Sequence, residues 1–235
     1  MRYVPELNRL FLHIPKTGGV SVEMVIDQLY PPRNRHKGVR VSRSVSLKHR
    51  WNGLPGRHVL IEHLTTFSWC ERSWKFCFVR HPVDWYVSSW RWLASRAIFR
   101  VARDSSLDEL FSFFTWHPKK PLIPCLRGND FNAWALEVLR LWPNGYLSEL
   151  CDNYCGTIDK PKVNWIGRCE LLESDIKQLF PGVAEVPRAN QAKGPIGPPE
   201  IDDKVMDAIL KAEDRMFSRF YDEDTFYYRD VKDWQ

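Results

Sequence analysis

Short apolar runs alternate with amphipathic stretches along most of this chain. Leu10 to Ile14, His58 to Ile61, Phe76 to Val79 and Val163 to Gly167 are continuous enough to read as buried strands. After the third run, apolar residues recur at helical spacing at Tyr86, Trp90, Leu93, Ala97 and Val101. Arg91, Arg96, Arg100 and Arg103 fall largely off that stripe, which predicts a long amphipathic helix over Tyr86–Arg103. Further helices are predicted at Gly19–Leu29, Leu107–Phe114, Phe131–Leu141, Ser174–Phe180 and Glu200–Tyr221, with prolines at 143, 181, 198 and 199 as punctuation. Strands alternating with helices predict an α/β fold with a central, mostly parallel sheet flanked by helices, whose ligands sit beyond the carboxyl ends of the strands. Each predicted strand ends in polar chemistry: His13 and Lys16 after the first, Glu62 and His63 after the second, Arg80 and His81 after the third, Arg168 after the fourth.

Composition changes this picture little. A chain of 235 residues, 44% hydrophobic and 14% aromatic, can bury one substantial core, so residues 1–235 are expected to form a single domain. No stretch approaches the roughly 20 apolar residues of a membrane span, and the N-terminal apolar run is too short for a secretory signal, so a soluble, cytoplasmic protein is expected. The six cysteines then read as free thiols. Cys151 and Cys155 form a C-x3-C pair in a loop-like stretch, but no second pair or histidine spacing completes a zinc set, and no metal site is expected.

Charge adds a local feature. The net charge is +5, yet the stretch between Asp27 and Glu62 holds eight Lys or Arg residues and no Asp or Glu. The rest of the chain has 26 basic against 29 acidic residues, so the positive character is local and suits a local anionic partner. The same stretch, about 31–57, also reads as a solvated loop whose charge keeps it soluble.

The segment Phe11–Glu23, FLHIPKTGGVSVE, carries the sharpest chemistry. A strand passing through a glycine turn into a helix makes an oxyanion cradle: amides at a helix start carry partial positive charge, and Gly18 and Gly19 let the main chain approach a phosphate. Lys16 adds a full charge, the amides from Thr17 through Val20 line the turn, and Thr17 and Ser21 add hydroxyls. The string is not a Walker A loop, because its lysine precedes both glycines. In Phe78–Trp90, FVRHPVDWYVSSW, Arg80 at a strand end and Ser88 on the following helix can grip a second phosphate, although an arginine before a proline turn is also a common cap or salt-bridge residue.

Together the two segments resemble the sulfotransferase family, in which PKTGG(T/V)S is the 5′-phosphosulfate loop and R-HP-x(5)-S the 3′-phosphate motif. VNWIGRCELLESD, Val163–Asp175, resembles a further segment of the members related to the heparan sulfate 2-O- and 6-O-sulfotransferases. The three segments cover about a fifth of the chain. The resemblance implies a P-loop-like three-layer fold that binds 3′-phosphoadenosine 5′-phosphosulfate and transfers its sulfuryl group to an acceptor hydroxyl, leaving adenosine 3′,5′-bisphosphate and requiring no metal. It implies Lys16 as the residue that stabilises charge on the bridging oxygen, and His63 as the base, with Glu62 the alternative. His13 is expected to pack under the loop. A late loop, about 187–199, is implied to close on the nucleotide through Arg188, Asn190 and Lys193, although a basic Pro/Gly linker has the same composition.

Without an evident membrane anchor the chain suits a soluble bacterial or viral member, acting on a carbohydrate or small molecule; the basic stretch would face an anionic saccharide. Two other classes compete. A nucleotide kinase or other phosphoryl transferase shares the loop physics but calls for Mg²⁺ and a Walker A. A nucleic-acid-binding module would use the basic stretch and its tryptophans but leaves the paired anion motifs unexplained, and no nucleic-acid partner is expected.

Overall fold

A computed structural model describes residues 2–31, 68–95, 122, 125, 130–189 and 197–222. Among these the protein is α/β, with a four-stranded open sheet in the order β1 (Arg2–Val4), β2 (Arg9–Leu12), β3 (Trp74–Val79), β4 (Trp165–Arg168). β2, β3 and β4 run parallel and β1 runs antiparallel to β2, so the sheet is mixed. The hydrophobic pattern anticipates three of these strands; the three-residue β1 is too short to leave a period. The predicted strand His58–Ile61 and the predicted helix Leu107–Phe114 lie outside the described residues.

Eight α-helices are described: α1 (Gly19–Leu29), α2 (Ser68–Arg72), α3 (Pro82–Ser95), α4 (Phe131–Leu141), α5 (Tyr146–Cys155), α6 (Leu172–Leu179), α7 (Asp203–Ala212) and α8 (Asp214–Phe220). The chain groups into two compact units. The first is residues 1–80, 151–190 and 226–235; the second is 81–150 and 191–225.

In the first unit, strand register decides the core. Phe11 pairs with Phe76 and Phe76 with Trp165, which stacks three aromatic side chains across one face of the sheet. Val22, Val25 and Ile26 of α1 and Ile176 and Leu179 of α6 cover that face. On alternate positions Leu10, Leu12 and Cys77 are also fully buried, as strands of a parallel sheet covered on both faces must be. Each buried aromatic or aliphatic side chain contributes about 1.5–3 kcal/mol, so one strand cannot slip against its neighbour cheaply. Gly167 completes the register: a Cβ there would stand 2.5 Å from the Trp165 ring and 2.6 Å from the Phe78 ring.

Among its described residues the second unit is helical. α7 packs against α3 and α4, Trp90 meets Phe131 edge-on at 5.7 Å, and the indole of Trp134 donates to the Leu122 carbonyl. Tyr86, Trp90 and Leu93 are buried, as the amphipathic stripe of α3 predicts; Ala97 and Val101 fall outside the described residues. The single helix predicted over Glu200–Tyr221 is two, α7 and α8, because the chain turns at Glu213. The carboxylate of Glu213 accepts from the amides of Leu147 and Ser148, the Ser148 hydroxyl and the Tyr86 hydroxyl, at 2.7–2.9 Å. It therefore caps the start of α5 from 65 residues away. That cap is why Tyr146–Cys155 is helical where a loop is expected from the sequence, and why Cys151 and Cys155 lie buried on a helix.

Candidate anion site at the carboxyl edge of the sheet

β2 ends at Leu12 and the chain turns through Pro15–Gly18 into α1. Lys16 adopts φ +69° and Gly18 φ +81°, both left-handed, and a non-glycine residue held there is strained by about 1–2 kcal/mol. Such alternation turns successive amides to one side and forms an anion-binding concavity. Gly18 is the N-cap of α1 and offers no side chain to the helix start. The first intrahelical bonds come from Ser21 and Val22 to the Gly18 carbonyl, so the amides of Gly19 and Val20 precede them. The start of an 11-residue helix thus adds its dipole to the charge of Lys16.

Several contacts within the first unit hold this turn. Thr17 is buried and its hydroxyl donates to the Ile14 carbonyl at 2.9 Å, so that hydroxyl braces the loop. Arg80, just past the end of β3, donates from Nη1 to the Lys16 carbonyl over a long 3.4 Å. This brings the second sequence motif to the first. Ser21 is buried, and its hydroxyl oxygen accepts the amide of Ala189 at 3.1 Å, which fixes the start of the late loop, including Arg188, near α1.

The third motif also reaches the turn. A Cβ on Gly18 would stand 2.9 Å from Leu172 Cδ2 and 3.4 Å from Cys169 Sγ. The corner joining β4 to α6 therefore packs against the turn, and Asp175, buried on α6, holds that corner by accepting the Arg168 amide at 3.0 Å.

His13 packs under the loop as expected: it is buried, and its Nδ1 lies 2.9 Å from Oε1 of the equally buried Glu23. Glu23 is a residue that the spacing of the glycine-turn motif does not single out. Its signal is a carboxylate on the buried stripe of α1, beside Val22 and Ile26. The neighbouring histidine of the second motif, His81, packs edge-on to Phe217 at 5.1 Å and to Tyr221 at 5.5 Å within the second unit.

The structure thus brings Lys16, Thr17, Gly18, Gly19, Val20, Ser21 and Arg80 together, with Arg188 one residue from the Ala189–Ser21 link. Ser88 lies on α3 in the second unit. Glu62, His63, Asn190, Lys193 and the basic stretch 33–57 lie outside the described residues. Among the described residues no group of three or more His, Cys, Asp or Glu side chains could hold a metal ion, and no helix is long and apolar enough to cross a membrane. Family models, curated proteins and solved structures were each compared with the chain, and none matches it.

Proposed function

We propose that this protein is a sulfotransferase using 3′-phosphoadenosine 5′-phosphosulfate, on a P-loop-like three-layer fold. The observation that carries the reading is the turn at 15–19: left-handed Lys16 and Gly18 open onto the start of α1, and Arg80 donates to the same turn. A donor with phosphates at both ends of a nucleoside needs two anion subsites, and the cradle and the Arg80 guanidinium offer two.

The donor supplies a sulfuryl group whose bond to the bridging 5′-phosphate oxygen breaks as the acceptor oxygen bonds to sulfur. Lys16 and the amides of Thr17 to Val20 stabilise the charge left on that oxygen. Arg80 binds the 3′-phosphate through its N–H fork. Arg188, Asn190 and Lys193 add donors from the late loop. His63 takes the acceptor proton, with Glu62 as the alternative base, and the scheme uses no metal. An anionic saccharide facing the basic stretch is the favoured acceptor.

Calorimetric titration tests the reading: adenosine 3′,5′-bisphosphate should bind, and ATP with Mg²⁺ and single-stranded DNA should not bind more tightly. Failure of the bisphosphate while either competitor binds would replace the sulfotransferase by a phosphoryl transferase or a nucleic-acid-binding module.

A further inference from the structure

Gly19 follows the cradle's cap, and the approach of a phosphate is the obvious reason for a glycine there. The structure supplies another. A Cβ on Gly19 would stand 2.4 Å from Cδ2 and Nε2 of His13, so the imidazole edge occupies the space beneath the first residue of α1. No left-handed φ requires glycine at this position, unlike Gly18. The opposite edge of the ring is held at Nδ1 by Glu23, one turn further along the same helix. The Phe11 ring lies 5.7 Å away, centroid to centroid.

One ring therefore links the end of β2 to two successive turns of α1. A buried histidine–carboxylate pair is a poor stabiliser compared with apolar packing of the same volume. Its directionality is what an apolar pair would lack. An ionised Glu23 accepts only, so Nδ1 carries the proton, and the hydrogen bond fixes the plane of the ring.

We propose that His13 and Glu23 are positioning residues of the anion cradle: held by Glu23, the imidazole sets where the main chain of Gly19 stands and so where the first amides of α1 aim. The proposal rests on the donor reading, and it extends it to residues that do not touch the donor. Hydrogen bonds weaken steeply with angle, so a small rotation of the first turn is felt by an anion.

The test compares adenosine 3′,5′-bisphosphate with adenosine 3′-monophosphate by calorimetry; the ratio of the two affinities isolates what the cradle adds for the 5′-phosphate. In His13→Asn the amide N–H still reaches Glu23, but the space of Cδ2 and Nε2 is vacated. In Gly19→Ala the ring is kept and the methyl collides with it. Each substitution is expected to lower the ratio roughly tenfold, with the 3′-monophosphate affinity within about twofold of wild type. In the double variant the methyl finds room, so Gly19→Ala should cost nothing beyond His13→Asn alone. Equal losses for both ligands, an unchanged ratio, or additive losses in the double variant would overturn the proposal. Should a variant lose its near-ultraviolet circular dichroism, Glu23→Met, which keeps about the volume and removes the acceptor oxygen that holds Nδ1, must lower the ratio in the same sense. If the wild type gains nothing from the 5′-phosphate, the donor reading fails by itself. The same variants are then titrated with pyrophosphate: a tenfold loss upholds the positioning role, and unchanged binding, or none by the wild type, refutes it.

Discussion

Replacing Glu213 by Gln should destabilise the second unit by about 3–5 kcal/mol. The carboxylate is fully buried, with Tyr86 and Leu147 donating to Oε1 and Ser148 donating twice to Oε2. A glutamine keeps one acceptor oxygen and turns an NH₂ toward the other pair of donors. Two hydrogen bonds of about 1 kcal/mol are lost, and at least one buried donor is left unsatisfied at about 1–3 kcal/mol. For a chain of this size, at about 2–4 °C per kcal/mol, the midpoint of thermal unfolding should fall by about 6–20 °C, read by circular dichroism at pH 8. Linkage gives a second signature. Burial pushes the Glu213 carboxyl above the ordinary carboxylate range, against the donors from Ser148, Leu147 and Tyr86 that pull it down. The native state then holds its proton to higher pH than the unfolded chain. Stability linked to this group is therefore fully present below the ordinary carboxylate pKa and lost as pH rises through the raised one. Glu213→Gln should flatten that part of the profile. An unchanged midpoint, or a slope identical to wild type, would refute the cap.

Arg80→Ala should weaken adenosine 3′,5′-bisphosphate by about 2–3 kcal/mol, roughly 30- to 150-fold, by loss of charge-assisted hydrogen bonds; unchanged affinity in calorimetry would remove Arg80 from the site. Lys16→Ala should abolish transfer in an assay with labelled donor, and retained turnover would sink its role at the bridging oxygen. Gly18→Ala and Gly182→Ala both place a side chain at left-handed φ, +81° and +100°, at about 1–2 kcal/mol each. Only at Gly18 does a Cβ meet a neighbour, Leu172, so only that variant should also lose bisphosphate affinity; equal affinities would show that the turn does not shape the site. His63→Ala should lose turnover with donor binding retained, and wild-type turnover would move the base to Glu62 or elsewhere.

Where local chemistry governs, the sequence was readable. Gly19–Leu29 and Phe131–Leu141 are helical over the predicted ranges, the second because Asp130 caps it by accepting the Asn132 amide, a cue three residues long. α5 was illegible because its cap is Glu213, far along the chain, and the same long-range bond explains the break in the predicted terminal helix. The cradle residues were identifiable from spacing, but the part each plays was not. The Thr17 hydroxyl braces the loop, Ser21 engages Ala189, and the two glycines answer to Leu172 and His13 beneath them. Those neighbours come from other elements, so no local pattern names them.

The central claim is that the turn at 15–19 and Arg80 together hold the two phosphates of one nucleotide. Calorimetric titration of the intact chain with adenosine 3′,5′-bisphosphate, adenosine 3′-monophosphate and adenosine 5′-monophosphate tests it most directly. The account predicts that the bisphosphate binds more tightly than either monophosphate, that Lys16→Ala erases the gain from the 5′-phosphate, and that Arg80→Ala erases the gain from the 3′-phosphate. A bisphosphate that binds no better than the monophosphates, or tighter binding of ATP with Mg²⁺, would contradict it.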